Sequence, residues 1–170
     1  MKMKKGFLAI VVVIAIVVLV IVGNIFLGGK ESEDKSISTE KVYSLKDGDK
    51  EIILNDVYNE ETLGKADSYY EVPSCAFEGM DKVYTYPNYE IQTYQDGDVD
   101  RIFSIYFLTD EIATTEGIKI GSTLEDVKKA YGENPQEVDS KYSYTLGKTT
   151  VEFIVDDGMV TSISYAYVTE

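Results

Sequence analysis

Apolar and polar residues alternate in the C-terminal part of the chain, which predicts a series of antiparallel strands. Residues 142–146, 150–155 and 160–168 each alternate. The Gly-Lys pair at 147–148 and the Asp-Gly pair at 157–158 are typical of tight turns between such strands. The pattern therefore predicts a three-stranded antiparallel meander.

The same order of alternating segments and turns occurs earlier in the chain. Residues 82–86, 89–94 and 101–108 alternate, and turn residues separate them at 87–88 and 96–97. These segments predict a second three-stranded meander.

A helix is expected before the second of these meanders. Ser122 and Glu125 form a capping-box pattern, in which the serine hydroxyl accepts from a first-turn amide and the glutamate reaches back. The apolar positions then recur at three- and four-residue spacing: Leu124, Val127 and Tyr131. Gly132 is suited to a C-cap, and Pro135 prevents continuation.

The arrangement indicates an internal repeat. Residues 59–64 predict a shorter helix before the first meander, and segment 101–106 resembles segment 160–165. We read two copies of helix plus meander, at about 50–108 and 117–168. Side by side they predict an α+β fold, with one sheet and helices on one face.

Strand alternation also sorts side chains between the two faces of the sheet. One face is expected to pack under the helices, and its residues are Tyr89, Ile91, Phe103, Ile105, Phe107, Val151, Phe153, Val155, Ile163, Tyr165 and Tyr167. The opposite face is polar with a few large amphipathic side chains, which suits protein binding. Its candidate binding residues are Glu90, Gln92, Tyr94, Ser104, Tyr106, Glu152, Ile154, Ser162 and Ser164. An ordinary solvated sheet face is the alternative.

Two short motifs resemble known groups of proteins. The stretch GIKIGSTLEDV at 117–127, followed by YG at 131–132 and by Pro135, resembles the opening of β-lactamase-inhibitor-protein-like repeats. Small outer-membrane lipoproteins of the barrel assembly machinery begin similarly. The resemblance implies a binding or scaffolding module whose curved sheet docks onto a protein. The stretch SCAFEG at 74–79 resembles uncharacterised membrane-anchored envelope proteins of Gram-positive anaerobes.

The N-terminal residues predict a membrane anchor. Residues 7–22 carry no polar side chain and the apolar run continues to 27, a helix about 31 Å long that matches the bilayer core. Lysines precede this run, so the N-terminus is expected in the cytoplasm and the rest outside. We divide the chain into an anchor at 1–28, an acidic flexible tether at 29–49 and a folded domain at 50–170. A cleaved signal peptide is the alternative to the anchor.

Composition restricts the chemistry that the chain can perform. With 16 basic and 30 acidic residues the net charge is −14, which disfavours a nucleic-acid partner. There is no histidine and one cysteine, so Ser-His-Asp and Cys-His catalysis and histidine-ligated metals are excluded. We therefore expect no enzymatic activity and no cofactor.

Two further features are candidate sites. Asp96, Asp98 and Asp100 have the spacing of calcium ligands, but Arg101 and Phe107 stand where a helical calcium loop needs glycine and glutamate. A polar hairpin turn explains them better. Cys75 is expected to be a small buried side chain, with a disulfide-linked dimer as the alternative.

Together these observations predict a single-pass plasma-membrane protein with an extracytoplasmic domain that binds another envelope protein without catalysis. The alternative is an anchored sensor or accessory domain that binds a small ligand or cation through its acidic hairpin turns.

Overall fold

The computed structural model describes residues 41–74, 77 and 79–168, so the predicted anchor at 1–28 lies outside the described residues. Within the described part, no helix has the length and apolarity needed to cross a bilayer. Strands make up 52% of the structure and helices 10%. The predicted α+β class is therefore wrong, and the fold is mostly β.

The described elements are ten strands and two helices. A small hairpin comes first, with β1 at Ser44–Asp47 and β2 at Lys50–Ile53. The helices are the single turn α1 (Glu60–Leu63) and the two-turn α2 (Leu124–Tyr131). The remaining strands are β3 (Ser68–Pro73), β4 (Met80–Thr85), β5 (Tyr89–Asp96), β6 (Val99–Phe107), β7 (Gln136–Val138), β8 (Lys141–Leu146), β9 (Thr149–Asp156) and β10 (Met159–Tyr167).

Eight of the strands form one antiparallel sheet in the order β3-β4-β5-β6-β10-β9-β8-β7. Two meanders of four strands each therefore meet at β6 and β10. The six predicted strands lie at β4–β6 and β8–β10, but each meander has a fourth strand that the prediction missed. These are the two edge strands, β3 and β7, whose described residues are all exposed and so show no apolar alternation.

Matching backbone hydrogen bonds define the repeat. In the first copy, the amide of Asn55 donates to the carbonyl of Ile102 (2.7 Å), and the amide of Ile102 donates back to Asp56 (2.9 Å). In the second copy, the backbone of 121–122 makes the same two bonds with Val160, both at 2.8 Å. A short segment before each helix thus pairs with the last strand of its own copy.

These bonds correct the alignment of the two copies by one residue. Ile102, not Arg101, is the counterpart of Val160, and Asn55 is the counterpart of Gly121. Asn55 has φ 67° and Gly121 has φ 90°, so both copies need a residue that tolerates the left-handed region. Glycine and asparagine are the two residue types that most readily meet this need.

The hairpin β1–β2 covers part of the sheet, which a layer of helices was expected to cover. Leu45 in β1 and Ile52 in β2 are fully buried in the core, and the amide of Tyr43 donates to the hydroxyl of Thr149 (2.9 Å). The chain is therefore folded well before residue 50. The part of the predicted tether at 41–49 belongs to the domain and is not a free linker.

Helix α2 begins one residue later than the capping box predicts. Thr123 is the N-cap, and its hydroxyl accepts from the amide of Asp126 (3.1 Å). The carboxylate of Asp126 in turn accepts from the amide of Thr123 (3.2 Å). Ser122 instead accepts from the amide of Lys119 (3.1 Å) and so closes the preceding turn.

Replacing the N-cap is expected to weaken the domain measurably. Thr123→Ala removes the acceptor for a first-turn amide and should lower the free energy of unfolding by about 1 kcal/mol in urea titrations. Ser122→Ala is the matched control, since it removes the hydroxyl that the sequence alone favours as the cap. A larger loss in Ser122→Ala than in Thr123→Ala would contradict the observed helix start.

Candidate binding face of the sheet

The sheet has one face that packs against α1, α2 and the hairpin, and an opposite face, which we call the open face. Cross-strand pairs fix the residues of the open face: Glu90 lies opposite Tyr106, and Gln92 lies opposite Ser104. In the second copy, Glu152 pairs with Ser164 in the same way. The structure places all nine candidate residues on the open face: Glu90, Gln92, Tyr94, Ser104, Tyr106, Glu152, Ile154, Ser162 and Ser164.

Two β-bulges change how the strands present their side chains. The pairing of β5 with β6 skips Phe103, and the pairing of β9 with β10 skips Thr161. Phe103 was predicted in the core with Ile105 and Phe107, and this prediction is wrong. The extra residue turns Phe103 onto the open face, while Ile105 and Phe107 stay buried.

An aromatic cluster covers the open face near the start of β6. The ring of Phe77 stacks on Tyr94 at a centroid distance of 4.2 Å and meets Phe103 edge-on at 5.1 Å. The hydroxyl of Tyr94 donates to the side-chain oxygen of Asn55 (2.8 Å), and burial raises its pKa. Tyr94 is therefore largely occupied by contacts within the domain, so it is a weaker candidate for partner binding than Tyr106.

Tyr106 stands at the centre of the open face. Its side chain is 39% exposed, and it lies opposite Ser164 in the three-residue seam that joins β6 to β10. Because Tyr106 and Ser164 are counterparts in the two copies, this pair marks the pseudo-two-fold axis of the sheet. Ser104 beside it is only 2% exposed, and its hydroxyl donates to Gln92 (3.1 Å). Ser104 therefore contributes to the packing of the open face, and little of its hydroxyl is accessible to a partner.

The second copy carries a groove on the open face. A cavity of about 260 Å³ lies across β7 to β10. Lys141 and Glu152 form an ion pair across it (2.9 Å), and the hydroxyls of Thr145 and Thr150 hydrogen bond (3.2 Å). The groove is therefore polar at its floor.

Several exposed apolar side chains also lie on the open face, at its centre and at both edges of the sheet, and sequence reasoning missed most of them. Besides Tyr106, the exposed apolar residues of the open face include Tyr70, Val72, Val138 and Val168. Tyr70 and Val72 belong to β3, and Val138 to β7, and neither edge strand was predicted. Recognising these edge strands from their turn residues would have extended the face to its borders.

The acidic hairpin turn shows ion pairing instead of converging carboxylates. Asp96 accepts from Arg101 (2.6 Å), and Asp100 accepts from Lys82 (2.7 Å). These hydrogen bonds raise the pKa of Arg101 and of Lys82. Among the described residues, no group of three acidic or cysteine side chains is placed to hold a metal ion. Asp96 and Asp100 thus form ion pairs between strands, and Asp98 lies exposed between them.

Cys75, which was expected to be a small buried side chain, lies outside the described residues.

Comparison with solved structures shows distant structural similarity only. No protein-family model matches the chain, and no curated protein matches it. A cysteine-rich secretory protein from Staphylococcus aureus subsp. aureus Mu50 has a similar structure, with a TM-score of 0.44 and 16% sequence identity. The similar region covers 64% of this chain and 41% of the staphylococcal chain, so this chain spans less than half of that protein.

Proposed function

We propose that this chain is a non-catalytic module that binds another protein on the open face of its eight-stranded sheet. The observation that carries the proposal is that the open face combines exposed apolar residues with a polar groove. Tyrosine and other large apolar side chains among polar neighbours are typical of protein interfaces. Tyr106 at the centre of the face is the residue that we expect to contribute most.

The charge of the chain indicates the kind of partner. The net charge is −14, and Glu90 beside Tyr106 has no ion pair to a described residue. The cation nearest the groove, Lys141, is already paired with Glu152. A partner with a basic surface would therefore meet complementary charge on this face.

The proposal includes the location that the N-terminal residues predict. A chain anchored through residues 1–28 would hold the domain on the outer side of the plasma membrane, where the partner would be another envelope protein. The acidic turn offers less support for a cation-sensing role, because Asp96 and Asp100 are each paired with a basic side chain.

Photo-crosslinking in the native envelope tests the proposal. A photoreactive amino acid replaces Tyr106 or Thr150 on the open face, or Lys129 on α2, in the full-length chain. We expect Tyr106 and Thr150 positions to give the same adduct with one envelope protein, because they lie on one face in different copies. The Lys129 position is the control on the covered side of the sheet.

Two results would contradict the open-face proposal. One is an adduct that forms equally well from Lys129, since this would place the partner elsewhere. The other is the absence of a common adduct from Tyr106 and Thr150 while the chain remains folded by circular dichroism. In addition, Tyr106→Ala should reduce the yield of the Thr150 adduct if Tyr106 anchors the partner.

A further inference from the structure

A second candidate site lies on the other face of the sheet, at its β3 edge. There Tyr69 of β3 and Tyr84 of β4 are direct cross-strand partners, and Tyr58 stacks on Tyr84. The centroids of Tyr58 and Tyr84 are 3.9 Å apart, and those of Tyr69 and Tyr84 are 5.0 Å apart. These three rings line a cavity of about 330 Å³, which we call the tyrosine pocket.

The rings of the tyrosine pocket are held in place before any ligand arrives. The hydroxyls of Tyr58 and Tyr86 hydrogen bond (2.9 Å), and Tyr86 also donates to the carbonyl of Gly64 (3.1 Å). Tyr69 is fixed through a hydrogen bond from its hydroxyl to Glu71. Burial, together with the hydrogen bond to Tyr86, raises the pKa of Tyr58, so its hydroxyl stays neutral. Such preorganisation lowers the entropy that binding would cost.

Two opposite charges complete the lining of the pocket. Glu60 and Lys65 both border it, and both are exposed. Neither side chain forms an ion pair or side-chain hydrogen bond with any residue in 41–74, 77 or 79–168. A free acceptor and a free donor therefore face the same aromatic surface without neutralising each other.

This combination disfavours ligands that carry a single charge. An organic cation would be attracted by Glu60 and the ring faces but repelled by Lys65, and an anion would be attracted by Lys65 but repelled by Glu60. A neutral ligand with many hydroxyls satisfies both, because each hydroxyl can donate to the carboxylate or accept from the ammonium. We propose that the tyrosine pocket binds a neutral sugar.

The aromatic surface suits the apolar face of a sugar ring. A pyranose presents several C–H bonds on one face, and the negative face of an aromatic ring attracts such weakly positive hydrogens. Tyr69, half of whose surface is exposed, offers the most accessible ring. The volume of the pocket is at the lower end of the range for small-molecule sites, which fits one or two sugar units.

Neighbouring residues on β3 provide a matched pair of variants. Tyr69 and Tyr70 are 50% and 47% exposed, but Tyr69 faces the tyrosine pocket and Tyr70 faces the open face. The full-length chain, in a detergent without a sugar headgroup, is titrated with maltotriose, cellotriose and triacetylchitotriose by ligand-observed nuclear magnetic resonance. We expect at least one sugar to bind, and Tyr69→Ala to weaken its affinity by about tenfold. Tyr70→Ala should leave the affinity unchanged.

The ionic alternatives are tested in the same experiment. Choline chloride and sodium acetate serve as a cation and an anion, and Glu60→Gln keeps an acceptor while removing the charge. Sugar binding that largely survives Glu60→Gln supports the proposal. Binding of choline or acetate in place of the sugars, no binding of any sugar, or an equal loss in Tyr69→Ala and Tyr70→Ala would overturn it. The pocket and the open face lie on opposite sides of the sheet. The sugar titrations and the crosslinking experiment therefore test the two proposals independently.

Discussion

Replacing Phe153 with alanine is expected to lower the free energy of unfolding by about 3–5 kcal/mol, which is a large part of the stability of a typical domain. Phe153 in β9 is fully buried, and Tyr131 of α2 meets its ring edge-on at 5.1 Å. Tyr144 of β8 also packs against it. The substitution would leave a cavity at the contact between the second meander and its helix. Urea denaturation followed by circular dichroism measures the loss.

The matched control is the same substitution at Phe103. Simple alternation along β6 places Phe103 in the core with Ile105, which would make Phe103→Ala as damaging as Phe153→Ala. The bulge instead places Phe103 on the open face, where it is only partly buried against Phe77. We therefore expect Phe103→Ala to lose less than half as much stability. Equal losses would contradict the bulge and the assignment of the two faces.

Stability is expected to fall steeply above pH 10. Burial raises the pKa of Tyr165, and burial together with the charge of Asp47 raises the pKa of Tyr89. Both residues are almost fully buried in the folded chain. The unfolded chain releases these protons near pH 10, whereas the folded chain retains them to higher pH. Unfolding therefore becomes more favourable as pH rises, by about 1.4 kcal/mol per pH unit for each tyrosine, and the effect is absent below pH 10.

Urea titrations at closely spaced values between pH 8 and pH 11 test this prediction, with phenolate absorbance recorded in parallel. Tyr89→Phe removes one of the contributing protons and should reduce the pH slope by about 1.4 kcal/mol per pH unit, even if it changes the stability at neutral pH. An unchanged slope in Tyr89→Phe would show that Tyr89 does not hold its proton in the folded state. The parent chain should show phenolate absorbance from its buried tyrosines only once it unfolds.

Alternation identified the inner strands because each of them has one face in the core and one in solvent. Alternation did not identify β3, because all six of its residues are exposed, as expected for a strand at an unprotected edge of the sheet. Strand β1 falls in the predicted tether, because charged and small polar residues dominate the stretch 29–49. The Asp47-Gly48 step between Leu45 and Ile52 is a hairpin signal that could have placed it in the domain.

The candidate site was predictable in its centre and not at its borders. Tyr106, Glu90 and Glu152 lie on the open face as expected, since regular pairing alone determines their side. Phe103 could not be placed, because a bulge depends on the whole ladder and has no marker in the local sequence. The tyrosine pocket could not be predicted from the sequence, because Tyr58 and Tyr84 are separated by 25 intervening residues and only the fold brings them together.

The seam between β6 and β10 relates the two copies as a two-fold axis relates the subunits of a homodimer. In a homodimer, the residues that face each other across the axis must be identical. Because one chain carries both halves here, it places a tyrosine on one side of the axis and a serine on the other, at 106 and 164. Duplication within one gene would thus free the centre of the open face from the symmetry that an ancestral dimer imposes. An asymmetric partner could then be recognised where a dimer could present only a symmetric surface.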